Sequence, residues 1–258
     1  MKTSKWLEKR IRLRVSLVLI AGLMLASWPG VSRAETLTLG GYEKIPYMMK
    51  DGAQPGFCVE IFRETAKRAG LDTKYTLLPT KRMLEDFRNR VIDAEPCCSS
   101  TWRQADEAIS IYSDPYYHTE NVVFVRKESG IKAQKVEDLQ GKRLGCGLGY
   151  FYTDGFQEAF EQGMIVRDDV SNAEMNVRKL AARRIDGMIA DRTEGWYLIK
   201  QQGLNPEDFD IAYVFQTKSA LSIRIHKEQE PFMVKLNEAL TTMKADGTLE
   251  ALIKKYTE

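Results

Sequence analysis

The chain has 258 residues, 38 of them basic and 36 acidic, and 43% of its residues are hydrophobic. Seven of the basic residues lie within the first 34 positions, and the rest of the chain is mildly acidic, which argues against nucleic-acid binding. The four cysteines lack the spacing of a zinc site, and we expect neither a metal nor a cofactor.

Residues 1–34 have the composition of a secretory signal peptide. Residues 1–14 are strongly basic, residues 15–28 are mostly apolar, and the small residues Ser32 and Ala34 predict cleavage after Ala34. A membrane anchor is the alternative, but the apolar run is shorter than the roughly 20 residues that a spanning helix needs. No cysteine precedes residue 58, so we expect no lipid-modified N-terminus and a soluble protein exported to the periplasm.

The exported part is long enough for two lobes. Removal of residues 1–34 leaves 224 residues with a net charge of −4, because 31 basic and 35 acidic residues remain. That length suits two lobes of about 100 residues, each with its own core. The apolar pattern of the first part predicts a strand at 37–39, a helix at 56–69, a strand at 74–78 and a helix at 83–87.

Arg82 lies between the second predicted strand and the second predicted helix. Loops that lead from a strand to a helix in open α/β sheets lie at the binding edge of the sheet. We therefore expect Arg82 to be a secondary ligand-binding residue; the alternative is a solvated arginine at the start of a helix.

The stretch 92–117 concentrates the side chains that are best suited to bind a ligand. A short strand breaks at Pro96, and the following run, 97–103, carries two cysteines, two serines, a threonine, Trp102 and Arg103. Arginine offers five donors in a fixed fork that matches a carboxylate, and tryptophan offers a flat apolar wall. This combination favours a ligand site at the end of the strand, with a solvated loop as the alternative.

Three motifs resemble the bacterial extracellular solute-binding proteins of family 3. They are the run from this strand through Arg103 to the Ser-Asp-Pro-Tyr-Tyr of 113–117, the helix start Gly-Phe-x-x-Glu of 56–60, and the C-terminal Asn-x-Ala followed by Asp-Gly-Thr-Leu within 237–249. The resemblance covers nearly all of the exported chain. It implies an α/β, two-lobed periplasmic-binding-protein type 2 fold, in which each lobe is a mixed sheet flanked by helices and two crossovers form the hinge.

The resemblance also implies the limits of the lobes. The apolar runs 121–126 and 220–225 match the two crossovers, so we expect residues 35–122 plus 221–258 to form lobe 1 and residues 123–220 to form lobe 2. An internal repetition agrees with two similar lobes, because the Arg-Ile-Asp-Gly at 184–187 repeats the order of a basic residue, Ile-Asp and a short strand seen near residue 92.

The ligand contacts follow from the same resemblance. Arg103 matches the arginine that grips a ligand carboxylate, and Asp191 matches the acid that binds a ligand amino group. A helix N-cap is the alternative role of Asp191, and the two roles are compatible. Tyr47, or else Tyr42, would cover the ligand, unless this tyrosine packs only at a loop edge. The remaining expected ligand residues are Trp102, Ser100, Gly149, Tyr150 and Tyr152.

Three departures from the family pattern fall where specificity is set. The Gly-Met-Thr or Ser-x-Ser run that the family has before the arginine is replaced by the Cys-Cys-Ser-Ser of 97–100. Tyr112 comes nine positions after Arg103, which is longer than in the common amino-acid receptors. Gly149 is followed by the bulky run 150–152 where the family has small hydroxyl residues, whose backbone amides contact the ligand at a helix N-terminus. We expect the helix that follows this run to begin near residue 154, with Asp154 as its N-cap.

All four cysteines lie in the exported part, where a disulfide is permitted. Our hypothesis is a bridge between Cys58 and Cys98, with Cys97 as the less favoured partner, which would tie the first helix to the ligand strand. Four free thiols that pack as small buried apolar groups are the alternative.

The function implied by the resemblance is non-enzymatic. We expect a periplasmic, monomeric solute-binding protein that captures an amino acid or a similar small carboxylate between closing lobes and delivers it to an ABC permease in the inner membrane. An enzyme on the same scaffold, a dehydratase of the cyclohexadienyl or arogenate type, is the rival. A ligand sensor is a third hypothesis, weakened because nothing follows Glu258.

Overall fold

A computed structural model describes residues 36–50 and 52–257, so the predicted signal peptide lies outside the described residues. The strands are β1 (Thr36–Gly41), β2 (Asp72–Leu77), β3 (Ala94–Cys98), β4 (Ser110–Tyr112), β5 (Tyr117–Arg126), β6 (Arg143–Gly147), β7 (Val166–Val170), β8 (Gly187–Asp191) and β9 (Phe209–His226). The helices are α1 (Phe57–Arg68), α2 (Thr80–Arg88), α3 (Phe156–Glu161), α4 (Ala173–Ala181), α5 (Arg192–Gln201), α6 (Glu230–Ala245) and α7 (Thr248–Thr257). No helix in this part of the chain has the length and apolar character needed to span a membrane.

The strands form one path in the order β2-β1-β3-β9-β5-β8-β6-β7, with β4 paired to β9. At one end β1 runs parallel to both β2 and β3, and at the other end β6 runs parallel to both β7 and β8. Each half is thus a strand-helix-strand-helix-strand unit, β1-α1-β2-α2-β3 or β6-α3-β7-α4-β8. This repetition confirms the expectation of two similar α/β units.

Two long antiparallel strands, β5 and β9, join the halves. The C-terminal end of β9 pairs with β3 and β4 at residues 222–226, whereas its earlier part pairs with β5 at residues 209–214 and 218–221. The pairing of β5 with β9 changes register between Glu120 and Val122. The predicted crossovers lie within these two strands. The lobe limits at residues 122 and 220 stay a prediction, because both strands run through them without a break.

Each half buries its own apolar core. In the first half α1, α6 and α7 cover the sheet around fully buried residues such as Leu39, Phe62 and Leu236. In the second half two clusters lie on the sheet, one around Phe156 and one around Phe124. Burial of each such side chain stabilises the fold by about 1.5–3 kcal/mol. Each half is therefore stabilised by apolar contacts within itself rather than by contacts across the cleft.

A buried ion network connects β9 to the first half. The Arg224 side chain on β9 is fully buried, and its guanidinium donates to Glu95 on β3 (3.2 Å) and to Asp106 (2.9 Å). Its Nε donates to the Ser110 hydroxyl at 2.9 Å, and its carbon Cζ lies 3.7 Å from the centre of the Phe87 ring. Every charged partner of this arginine is itself buried, so the network fixes how β9 meets β3 and β4.

The four cysteines are free and buried, so the predicted bridge between Cys58 and Cys98 is not formed in the structure. The reason is the alternation of side chains along β3, which places successive residues on opposite faces of the sheet. Cys97 packs in the same core as Cys58 of α1, and a hydrogen bond with Cys97 adds to the burial that raises the pKa of Cys58. Cys98 instead donates to the Ser99 carbonyl at 3.3 Å.

Oxidation of the protein should therefore cross-link Cys58 to Cys97. Mass analysis of unreduced peptides would locate the bridge, with the variants Cys97→Ala and Cys98→Ala to separate the two adjacent cysteines. We expect Cys97→Ala to remove the cross-link and Cys98→Ala to leave it intact, because only Cys97 shares a core with Cys58. A cross-link that survives Cys97→Ala would contradict this assignment.

Replacement of Arg224 should destabilise the fold strongly. Removal of one partner of a buried ion pair typically costs about 3–5 kcal/mol, because the remaining charges stay buried without compensation. We expect Arg224→Met to lower the free energy of unfolding by about 3 kcal/mol, the lower end of that range, because Glu95 and Asp106 each keep a second arginine. Urea denaturation would measure the loss, and Arg82→Met, which changes an exposed arginine, provides the control.

Candidate functional site

A cleft of about 450 Å³ lies between the two halves of the molecule. Its volume falls within the range of about 300–1,000 Å³ that is typical of small-molecule sites. The charged side chains that line it are Lys44, Arg103, Asp191, Glu194 and, on the exposed rim, Glu43. The aromatic and large aliphatic residues that line it are Tyr42, Trp102, Leu148, Tyr150, Tyr152, Val170 and Ile189.

The structure brings Arg103 to the cleft, as expected, but pairs it with an internal carboxylate. Its Nε and Nη2 donate to Glu95 at 3.2 and 2.6 Å, and Nη1 donates to the Trp102 carbonyl at 3.1 Å. Burial alone would lower the pKa of Arg103, but the charge and hydrogen bonds of Glu95 raise it above the ordinary value. These bonds use three of the five guanidinium N–H groups, so two remain for a ligand.

The arginine end of the cleft carries a net positive charge. Asp106 is held by Arg88 at 2.6 Å as well as by Arg224, and Glu95 is shared between Arg224 and Arg103. Three guanidinium groups therefore face two carboxylates, which leaves a charge of +1. The guanidinium in this network that lines the cleft is that of Arg103, so this is where an anionic group of a ligand can compensate the excess.

Asp191 has the N-cap role that the sequence left as an alternative. It ends β8, and its Oδ1 accepts hydrogen bonds from the amides of Thr193 and Glu194, both at 3.0 Å. The Tyr47 hydroxyl also donates to Oδ1, at 2.5 Å. Burial raises the pKa of Asp191, while Lys44, Tyr47 and the two amides oppose the shift. Since these bonds all fall on Oδ1, the second oxygen is left for the cleft.

Glu194 is a cleft carboxyl that the sequence analysis missed. It lies one helical turn after Asp191 at the start of α5 and lines the same cleft. Burial raises its pKa to about 7, an effect that Lys44 opposes and Asp191 strengthens. An acid three residues after an N-cap is the sequence signal that could have identified it.

Four of the expected ligand residues lie outside the lining of the cleft. Tyr47 is fully buried and bonds Asp191 and Thr119, so of Tyr47 and Tyr42 it is Tyr42 that lines the cleft. The Arg82 side chain is 64% exposed and pairs with Asp86 within α2. Ser100, which is exposed in a short 3-10 segment, and Gly149, which takes a left-handed turn with φ of 77°, do not line the cleft.

The loop after β6 is closed by its own tyrosine. The Gly147 amide donates to the Tyr152 hydroxyl at 2.8 Å, and the amides of Leu148 and Tyr150 bond backbone carbonyls. Of the amides expected to hold a ligand, that of Tyr150 is therefore already used. The following helix starts only at Phe156 with Gly155 as its N-cap, and Asp154 instead accepts bonds from residues 216 and 217, so the predicted N-cap was wrong.

The same loop presents apolar groups to solvent. Leu148, Tyr150 and Phe151 are 65%, 67% and 71% exposed, and the first two line the cleft. Large apolar side chains grouped at the edge of a cleft mark a surface that a ligand or a partner covers. Among residues 36–50 and 52–257, no group of three His, Cys, Asp or Glu side chains is arranged to hold a metal ion.

Comparisons with known proteins agree with this architecture. A relative in Escherichia coli strain K12, the L-cystine-binding protein TcyJ, is 27% identical over 257 residues, which cover 94% of this chain and 92% of the relative. The ABC transporter arginine-binding protein 1 of the same organism is 25% identical and covers 91% and 96% of the two chains. Both names describe binding proteins, and neither is that of an enzyme.

Solved structures show the same two-lobed fold. The open, unliganded L-cystine solute receptor of Neisseria gonorrhoeae superposes with a TM-score of 0.69 at 21% identity, over 87% of this chain and 93% of that chain. An ancestral arginine-binding protein bound to arginine gives a TM-score of 0.64 at 21% identity, over 86% and 98%. The family model of the bacterial extracellular solute-binding proteins, family 3, matches residues 37–258, and the chain belongs to this family.

Proposed function

We propose that this protein captures an amino acid in the cleft between its two lobes and delivers it to an ABC importer. The observation that carries the proposal is the complementary charge at the two ends of one cleft. The arginine end has a charge of +1 that reaches the cleft through Arg103, which keeps two free N–H groups. At the other end Asp191 and Glu194 face the single ammonium of Lys44, which leaves a charge of −1 when both acids are ionised.

An α-amino acid matches this pattern with one carboxylate and one ammonium. The carboxylate takes the free N–H groups of Arg103, and the ammonium takes the second oxygen of Asp191 together with Glu194. Charge-assisted hydrogen bonds of this kind are the strong ones in proteins. Because Arg103 follows β3 in the first half and Asp191 ends β8 in the second, the ligand touches both halves at once.

A ligand that contacts both lobes favours the closed state over the open state. The shift in the equilibrium equals the difference in its affinity for the two states. Closure by bending of β5 and β9 would bury Leu148 and Tyr150 against the ligand, which adds an apolar contribution. The closed form is then the state that the permease recognises.

The names of the relatives support an amino-acid ligand and a non-enzymatic role, since cystine- and arginine-binding proteins are among them. The remaining expectations belong to the same proposal. They are cleavage after Ala34, residence in the periplasm, a monomeric state, and lobes at 35–122 plus 221–258 and at 123–220.

One observation favours a second candidate, an acid-catalysed dehydratase. Catalysis by a general acid needs a desolvated carboxyl with a raised pKa, and Glu194 meets that description. Incubation with prephenate or arogenate separates the candidates. Turnover that Glu194→Gln abolishes would establish the enzyme, and a lack of turnover together with amino-acid binding would exclude it.

The proposal predicts that amino-acid binding depends on Arg103. Titration with a panel of amino acids, L-cystine included, would be followed by tryptophan fluorescence, because Trp102 lines the cleft. We expect Arg103→Ala to weaken binding of the best ligand by about 100-fold, since two hydrogen bonds to a charged group are lost. Arg82→Ala removes an arginine outside the cleft and serves as the matched control. Equal affinity in the wild type and Arg103→Ala would refute the proposed site.

Ligand binding should also weaken in mild acid. Glu194 binds an ammonium only when ionised, and its pKa of about 7 means that it takes up a proton as the pH falls from 8 to 6. We expect the affinity to fall by up to about tenfold over this range, in proportion to the ionised fraction. Calorimetric titrations at pH 8, 7 and 6 would test this. Glu194→Gln should flatten the profile and the exposed Glu238→Gln should not; an unchanged slope in Glu194→Gln would contradict the assignment.

A further inference from the structure

The loop between β1 and α1 places the Lys44 ammonium in the cleft. The backbone amides of Lys44 and Met48 each donate to the other residue's carbonyl, at 2.9 and 2.8 Å. The Lys44 Nζ lies 4.6 Å from the centre of the Trp102 ring and 4.7 Å from the centre of the Tyr47 ring. Lysine is therefore held over two aromatic faces, which attract a cation through their quadrupoles.

The acids of the cleft influence Lys44 without being tied to it. Lys44 opposes the rise in the pKa of both Asp191 and Glu194, so its charge is close to both. The ion pairs found within 4.0 Å among residues 36–50 and 52–257 do not include Lys44. The ammonium is thus positioned by the rings, and the carboxylate oxygens that face the cleft are not taken by it.

This arrangement sets a charge balance for the ligand. When Asp191 and Glu194 are both ionised, they and Lys44 together carry −1, which one ligand ammonium compensates. A second cation on the ligand, as in a basic side chain, would have to lie near a fixed ammonium in a partly desolvated site, where like charges repel more strongly than in water. An oxygen at the end of the ligand side chain would instead accept a hydrogen bond from Lys44.

We propose that Lys44 determines the ligand's side chain, so that the cleft takes α-amino acids with an acidic or carboxamide side chain and rejects basic ones. The inference rests on the proposed capture of an amino acid and makes it more specific. It separates this chain from its arginine-binding relatives. It also gives a physical role to a residue that the sequence analysis did not single out.

The test compares two oxygen-bearing ligands, L-glutamate and L-glutamine, with two basic ligands, L-arginine and L-ornithine. Isothermal titration of the wild type should show tighter binding of at least one of the first pair than of either basic ligand. We expect Lys44→Met to weaken binding of that ligand and to strengthen L-arginine binding, each by about tenfold, because a hydrogen bond to a charged group and a like-charge repulsion are both removed.

The matched control is Lys50→Met, which removes the same charge from an exposed position of the same loop, outside the cleft lining. It should leave all four affinities unchanged. The role of Lys44 is overturned if the wild type prefers a basic ligand. It is also overturned if Lys44→Met leaves the ratio of affinities for the oxygen-bearing and basic ligands unchanged. In both cases the proposed capture of an amino acid still stands. Failure of all four ligands, with none of the panel binding at the Arg103 site, refutes the proposed function and this inference with it.

Discussion

The site depends on one buried carboxylate, that of Glu95 on β3. It accepts hydrogen bonds from the guanidinium of Arg103, and its negative charge is compensated in addition by the fully buried Arg224 of β9. A buried carboxylate with no cation beside it would be too costly to keep ionised. The position of Arg103 at the cleft is therefore set by how β3 and β9 meet, and those strands belong respectively to the first lobe and to a crossover between the lobes.

This pairing changes how a ligand carboxylate would be recognised in the proposed function. A free arginine would offer its whole fork to the ligand, whereas Arg103 offers only the N–H groups that Glu95 and the Trp102 carbonyl leave. The attraction for an anion comes from the excess charge of the network rather than from one unpaired side chain. The cost of ordering Arg103 is met when the protein folds, so a ligand bound there as proposed would find a preorganised donor pair.

The opposite end of the cleft follows the same principle. Asp191 caps α5 and accepts a hydrogen bond from the Tyr47 hydroxyl, so its side chain is positioned without a ligand. Tyr47 lies on the loop that also carries Lys44, and Tyr47 and Trp102 provide the rings over which the Lys44 ammonium lies. The aromatic residues therefore position charges at this end, and the apolar wall comes from Tyr42 and from Leu148 and Tyr150.

The sequence by itself determined the family, because local motifs carry the resemblance, and the two α/β units, because the two halves repeat one local pattern. The ligand-binding roles of Arg103 and Asp191 are implied by that resemblance and remain predictions. Only the tertiary structure decided that Glu95 pairs with Arg103, that Tyr152 closes the loop after β6, and that Cys58 faces Cys97. Such pairings join residues from different strands and helices, and sheet register and side-chain alternation determine which groups meet. Local sequence patterns do not contain that information, and for this reason Glu194 and Lys44 were found only when the cleft was assembled.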